Sequence, residues 1–169
     1  MATSDEVGST EAVARSYFDA VARRDIDAMV AIWEPGSLDV IHGTVEMRVP
    51  EDLRAWFGNL FAAFPDWRFE VLDVLASGEK AAVRWHATGT FDGSGNFEGL
   101  IPNGKMVDVE GCDVLTVRGG RVARNDAYTN GAQIARQLGA LPPEGSLPER
   151  VLTELLNLGT RARARLKRA

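Results

Sequence analysis

With 169 residues, 45% of them hydrophobic and 25% charged, the chain has the composition of one globular domain that buries a core, which excludes a disordered tail protein. No apolar run approaches the roughly 20 residues needed to cross a bilayer, and the opening MATSDEVGSTEAV lacks the basic start and apolar stretch of a secretory signal, so a soluble, cytoplasmic protein is expected. The net charge of −5 conceals an asymmetry: Arg161, Arg163, Arg165, Lys167 and Arg168 close the chain, leaving 14 basic residues against 24 acidic ones, and a body so acidic argues against a nucleic-acid surface.

Ser9 or Thr10 with Glu11 marks a helix start, after a flexible stretch over residues 1–8, and Val13, Tyr17, Phe18 and Val21 recur at helical steps until Arg23, Arg24 and Asp25 break the pattern. Asp25 can cap a short second helix holding Ile26, Met29, Val30 and Trp33, ended by Pro35 and Gly36. A short strand over 38–41 follows. Pro50 opens a third helix with Leu53, Trp56, Phe57, Leu60 and Phe61 on one side, closed near Phe64 and Pro65. From Trp67 the period becomes alternating, and four strands are expected near 67–76, 80–92, 105–118 and 121–129. The glycine-rich stretch 92–104 reads as a loop at one mouth of the sheet, with Gly93 to Gly95 a flexible lip. A short helix over 131–138 ends at Gly139, and a longer one over 146–167 follows Pro142 and Pro143. Its basic end opposes the negative pole of the helix dipole. Helices first and a curled antiparallel sheet second give an α+β domain over 9–143 with a helical extension over 144–169.

Cys112 is the single cysteine, and with His42 and His86 it forms no disulfide or zinc pattern. The chain contains no phosphate-binding loop, dinucleotide fingerprint or nucleophile elbow, so neither metal nor organic cofactor is expected. A bent sheet wrapped on helices can enclose an apolar cavity, the usual form of a small-molecule site.

Six segments in order resemble the SnoaL-like family, polyketide cyclases and their relatives within the nuclear transport factor two-like cone fold: SYFDAVARRDID (16–27), AAFPDWRF (62–69), VRWHATGT (83–90), GLIPNGK (99–105), GCDV (111–114) and RQLG (136–139). The resemblance implies a cone-shaped sheet packed on three N-terminal helices, and a homodimer. It extends to ketosteroid isomerases, in which a tyrosine on the first helix and a protonated aspartic acid donate to a developing enolate. Tyr17 and Asp113 stand at the matching positions. The resemblance places the base on the short strand, where Asp39 and His42 are both candidates; alternation sends them to opposite faces. At two cyclase positions, an aspartate before the RQLG helix and a histidine after the second strand's Gly-Thr pair, this chain has Asn130 and Phe91. Limonene epoxide hydrolase relatives need an aspartate, arginine, aspartate relay that has no match here, which makes epoxide hydrolysis a minor alternative.

On the last strand Asp126, Tyr128 and Asn130 share one face, and Asn125, Ala127 and Thr129 the other; the sequence leaves open which face is inward. With the first set inward, Asp126 becomes a third candidate base and Tyr128 and Asn130 join the substrate wall. Trp85 and Phe91 alternate with Val83 and Ala87 toward the cavity, with Arg84, His86 and Thr88 facing away, and Trp33 and Phe57 are further substrate-binding candidates. Two functions follow. One is a cofactor-independent enzyme that enolises a hydrophobic carbonyl compound, of polyketide, terpenoid or steroid type, using Asp126, Asp113, Tyr17, His42 and Asp39. The other is a silent small-molecule-binding or assembly domain. Val151, Leu152, Leu155, Leu156 and Leu158 give the extension an apolar stripe, which caps the pocket mouth or extends a dimer contact.

Overall fold

Thr10, Ala14, Tyr17, Phe18 and Val21 recur on one stripe of the first helix and are all buried, so that helix lies lengthwise against a sheet. The computed structural model describes residues 4–166. Helix α1 (Ser4–Ala22) begins ahead of the Ser9/Thr10 start, since the single Gly8 is too weak a breaker to stop it; residues 1–3 of the expected flexible stretch lie outside the described residues. Asp25 caps α2 (Ile26–Ala31) through a 3.0 Å bond from the Ala28 amide. Trp33 opens a strand instead of closing that helix. Strand β1 (Trp33–Ile41) absorbs Pro35 and Gly36 as an irregularity between Trp33 and Leu38, where the proline has no amide to pair and Gly36 takes a φ of 83°.

A tight turn at residues 42–44 returns the chain as β2 (Val45–Arg48), a strand absent from the sequence reading. Then come α3 (Glu51–Ala63), β3 (Arg68–Ser77), β4 (Lys80–Phe91), β5 (Lys105–Arg118), β6 (Arg121–Thr129), α4 (Gly131–Leu138) and α5 (Leu147–Leu166). The strands form one curved, unclosed sheet in the order β2-β1-β6-β5-β4-β3, antiparallel except where β1 lies parallel to β6. The core fills the space between the sheet and helices α1 to α3, around Tyr17, Phe18, Trp33, Leu53, Phe64, Val83 and Leu115. Among the described residues, no helix is long and apolar enough to cross a membrane. The basic end of α5 is described only in part, Lys167 and Arg168 lying beyond it.

Candidate active site

Helices α1 and α3 do not fill the hollow of the sheet; they leave a cavity of about 500 Å³ walled by Trp56, Phe57, Phe64, Trp67, Phe69 and Trp85. Its lip is tied down, which corrects the expectation of a flexible one. The amides of Gly93, Ser94 and Gly95 donate to the last carbonyls of α3, on Ala63 and Ala62, at 3.0, 3.0 and 3.4 Å. A Cβ on Gly93 would stand 1.9 Å from the Ala62 oxygen, so this approach needs glycine. Beyond it Phe97 and Leu100 pair through both backbone bonds, and the Phe97 ring meets Trp56 and Phe64 edge-on.

Into this apolar wall the strands carry two carboxyls linked by an amide. Asn125 on β6 lies directly beside Asp39 on β1, while Asp113 on β5 faces Ala127, two residues further along. The Asn125 amide therefore reaches both: Nδ2 donates to Asp39 Oδ1 at 3.0 Å and to Asp113 Oδ2 at 2.6 Å. Tyr17 Oη donates to the other Asp39 oxygen at 3.3 Å, and Trp85 Nε1 to the other Asp113 oxygen at 2.7 Å. Gly111 is opposite Trp85 across β4 and β5, and its missing side chain seats the indole; a Cβ there would fall 2.3 Å from the ring. The Asn125 carbonyl oxygen is buried without a partner, because turning the amide over would aim it at two carboxylates.

These groups are almost dry. Asp39 is 2% exposed and Asp113 6%. Burial, reinforced by the nearby charge of Asp113, pushes the Asp39 carboxyl up to about 7. Burial likewise lifts Asp113 to about 6, against the pull of the donors Trp85 and Asn125. Burial and then the charge of Asp39 push the Tyr17 hydroxyl well above its ordinary range, so it remains a phenol and a donor. The cavity thus holds two carboxyls that exchange protons near neutrality and one hydroxyl that does not.

Of the residues expected at the site, Tyr17, Asp39, Asp113, Trp85 and Phe57 line this cavity. Six others do not, and the expectation for each is corrected. Because Asp39 and Asn125 face inward, His42 and Asp126 face outward. Arg124 grips the Asp126 carboxylate with two bonds of 2.8 and 2.7 Å and His42 Nε2 lies 2.9 Å from it, while Tyr128 stacks on the His42 ring at 4.6 Å. First the Arg124 bonds, then His42, hold Asp126 down to about 2, the wrong side of neutrality for a base. Asn130 caps α4, accepting from the Gln133 amide at 3.1 Å. Phe91 and Trp33 are core residues behind the wall, packed on Phe64 and Tyr17 respectively. His86 faces outward as expected and meets Asp108 at 2.8 Å.

Sequence reasoning grouped Asn125 with Ala127 and Thr129 but gave it no role. The available signal was Arg124: an arginine two residues from Asp126 shares its face and pairs with it, which marks that face as the wetted one. Among the described residues, no three His, Cys, Asp or Glu side chains come close enough to hold a metal ion.

Comparison with known proteins agrees with this architecture. The sequence model of the SnoaL-like domain matches residues 14–125. The chain belongs to the SnoaL-like family. No curated protein matches it. Among solved structures, a protein assigned as a SnoaL-like polyketide cyclase from Jannaschia sp. CCS1 superposes with a TM-score of 0.73 and 25% identity over 84% of this chain and 99% of its own. AclR, assigned as a hydroxylase from Streptomyces galilaeus, gives 0.70 and 23% over 94% and 97%. IdmH, assigned as a polyketide cyclase from Streptomyces antibioticus, gives 0.65 and 22% over 77% and 98%. In this chain Asn130 caps α4 and Phe91 packs in the core.

Proposed function

We propose that this SnoaL-like protein is a cofactor-independent acid–base enzyme acting on a hydrophobic carbonyl compound, of polyketide, terpenoid or steroid type, in the cytoplasm and without nucleic-acid or membrane partners. The observation that carries this reading is the pair of desolvated carboxyls, joined by Asn125, in the wall of an apolar cavity of about 500 Å³. A carboxyl with a pKa near the working pH is both available as a base and strong enough to act as one.

Asp39, ionised, removes the proton on the carbon next to the carbonyl, and the electron pair moves onto the carbonyl oxygen. Tyr17 and protonated Asp113 donate to that oxygen, each donor being worth roughly 3 to 4 kcal/mol in the transition state. The two carboxyls hold about one proton between them near neutrality. Negative charge growing beside Asp113 raises its proton affinity, which draws that proton to Asp113 and leaves Asp39 free to accept one. The enolate carbon is then reprotonated elsewhere along the conjugated system, which is isomerisation, or attacks a second carbonyl, which is ring closure. In the second case Asp113 supplies the proton to the new alkoxide.

Solvent-deuterium incorporation into 2-tetralone, followed by mass spectrometry, tests the proton-transfer step without knowledge of the natural substrate. Exchange is expected above the buffer rate and lost roughly 10²- to 10⁴-fold in Asp39→Asn. Binding of the ketone with no exchange in the wild type overturns the enzyme reading. It leaves the silent binding domain, which the absence of the cyclase aspartate and histidine at positions 130 and 91 favours.

A further inference from the structure

Helix α5 carries a feature that the cavity does not use. At its first turn Glu149 accepts from the Gly145 amide at 2.6 Å and from Arg136 of α4 at 3.0 Å, which fixes its root. Past that turn no other described element packs extensively against it. Val151, Leu152, Leu155, Leu156 and Leu158 are 58, 42, 61, 64 and 56% exposed. A soluble domain rarely leaves so continuous an apolar stripe in water, and an isolated helix of this length is marginal without packing.

Two observations identify what covers it. The first is spacing. Val151, Leu155, Leu158 and Ala162 follow one another by four, three and four residues, the seam of paired helices. The second is charge. Glu154 and Arg161 each stand beside this seam, on either side of its middle, and neither makes an ion pair among the described residues. A parallel pair sets Glu154 against Gly159, which leaves both charges unanswered. An antiparallel pair that stacks Leu155 on Leu158 and Val151 on Ala162 of the second helix brings Glu154 opposite Arg161. The two-fold axis repeats that pair on the other side. On the opposite edge Leu152 meets Gly159, the one position with room for it.

We propose that α5 is a dimerisation helix that pairs antiparallel with the α5 of a second copy of this chain, sealed by the four-layer seam and two intermolecular Glu154–Arg161 ion pairs. Val151, Leu155 and Leu158 lie in the seam and Leu152 on its edge, while Leu156 stands on its outer flank. The proposal does not depend on the cavity being catalytic. It also ties each cavity to the dimer, because Arg136 links the root of α5 to α4, whose Ile134, Ala135 and Leu138 line the cavity.

The test is the mass of the full-length chain by light scattering and sedimentation equilibrium at micromolar concentration. Leu155→Glu and Leu158→Glu are expected to halve it while the near-ultraviolet circular dichroism of the domain stays unchanged. Glu154→Arg and Arg161→Glu, made singly, set like charges face to face and are expected to raise the dissociation constant tenfold or more; the double exchange restores the wild-type value. A wild-type mass equal to that of Leu155→Glu overturns the proposal, since the stripe then packs on its own domain or the copies meet elsewhere. A double exchange as weak as either single one overturns the antiparallel pairing.

Discussion

The inner and outer faces of strands β1 and β6 carry similar side chains to opposite ends of the carboxyl range. Inside, Asp39 has only neutral donors, Asn125 and Tyr17, and little water, and sits at about 7. Outside, Asp126 is one residue from Asn125, meets Arg124 and His42, and sits at about 2. Both are aspartates within hydrogen-bonded clusters. What separates them is the sign of the neighbours and the loss of solvent: a neutral amide satisfies a carboxyl without charging it, whereas a guanidinium fixes the charge. A histidine beside a carboxylate resembles a catalytic pair, yet that pair lies on the outer face, and the cavity wall carries instead two carboxyls joined by an amide.

The comparison is broken most directly by activity. Asp39→Asn is expected to lower α-deuteration of 2-tetralone by roughly 10²- to 10⁴-fold, and Tyr17→Phe by roughly 10²- to 10³-fold, whereas Asp126→Asn and His42→Gln stay within about twofold of wild type. Equal losses on both faces contradict the assignment. Gly111→Ala should be next in size. The new methyl displaces the Trp85 indole, breaks its bond to Asp113 and costs about 1 to 3 kcal/mol of stability by chemical denaturation. Trp85→Phe loses the same bond without the clash and is expected to raise the Asp113 midpoint further.

Stability against pH separates the faces by sign. Between the ordinary carboxyl value of about 3.9 and the folded value of about 7, folded Asp39 keeps a proton that the unfolded chain has released. Its contribution therefore falls as pH rises through that window. Asn, which never ionises, escapes this loss, so the melting temperature of Asp39→Asn relative to wild type should climb from pH 4 to pH 8. Asp126 runs the other way: its folded value lies below its unfolded one, so its contribution is complete above about pH 4 and is lost as pH falls toward 2. Asp126→Asn should accordingly cost at most about 1 kcal/mol at neutral pH, as exposed ion pairs do, and nothing near pH 2.

Much of the fold was legible because its periods are clean. Strands β3 to β6 each span nine or more residues and alternate on either side of register shifts near Val71 and Thr116, and α1 and α3 keep one apolar stripe. Strand β2 was hidden by its length: the alternation of Val45, Glu46, Met47 and Arg48 is real but too short to stand out from a loop. Tyr17 and Asp113 were legible through resemblance, as were both base candidates, Asp39 on β1 and His42 in the turn that follows it. The choice between Asp39 and His42, and between the two faces of β6, was not. Each depends on which strand β1 pairs with and in what direction, and parallel pairing between residues 86 apart in the chain, such as Asp39 and Asn125, leaves no local trace. Asn125 escaped notice because an amide has no titration of its own; its role exists only where two carboxyls converge on it.

Carbon-detected NMR titration of the aspartate side chains, assigned by Asp39→Asn, Asp113→Asn and Asp126→Asn, reads both faces in one sample. Midpoints near 7 and 6 for the two inner carboxyls, with Asp126 near 2, are expected. If Asp39 and Asp113 both titrate at or below the ordinary value of about 3.9, the cavity does not hold its carboxyls dry, Asp39 is too weak a base for the proposed proton transfer and Asp113 has no proton to donate.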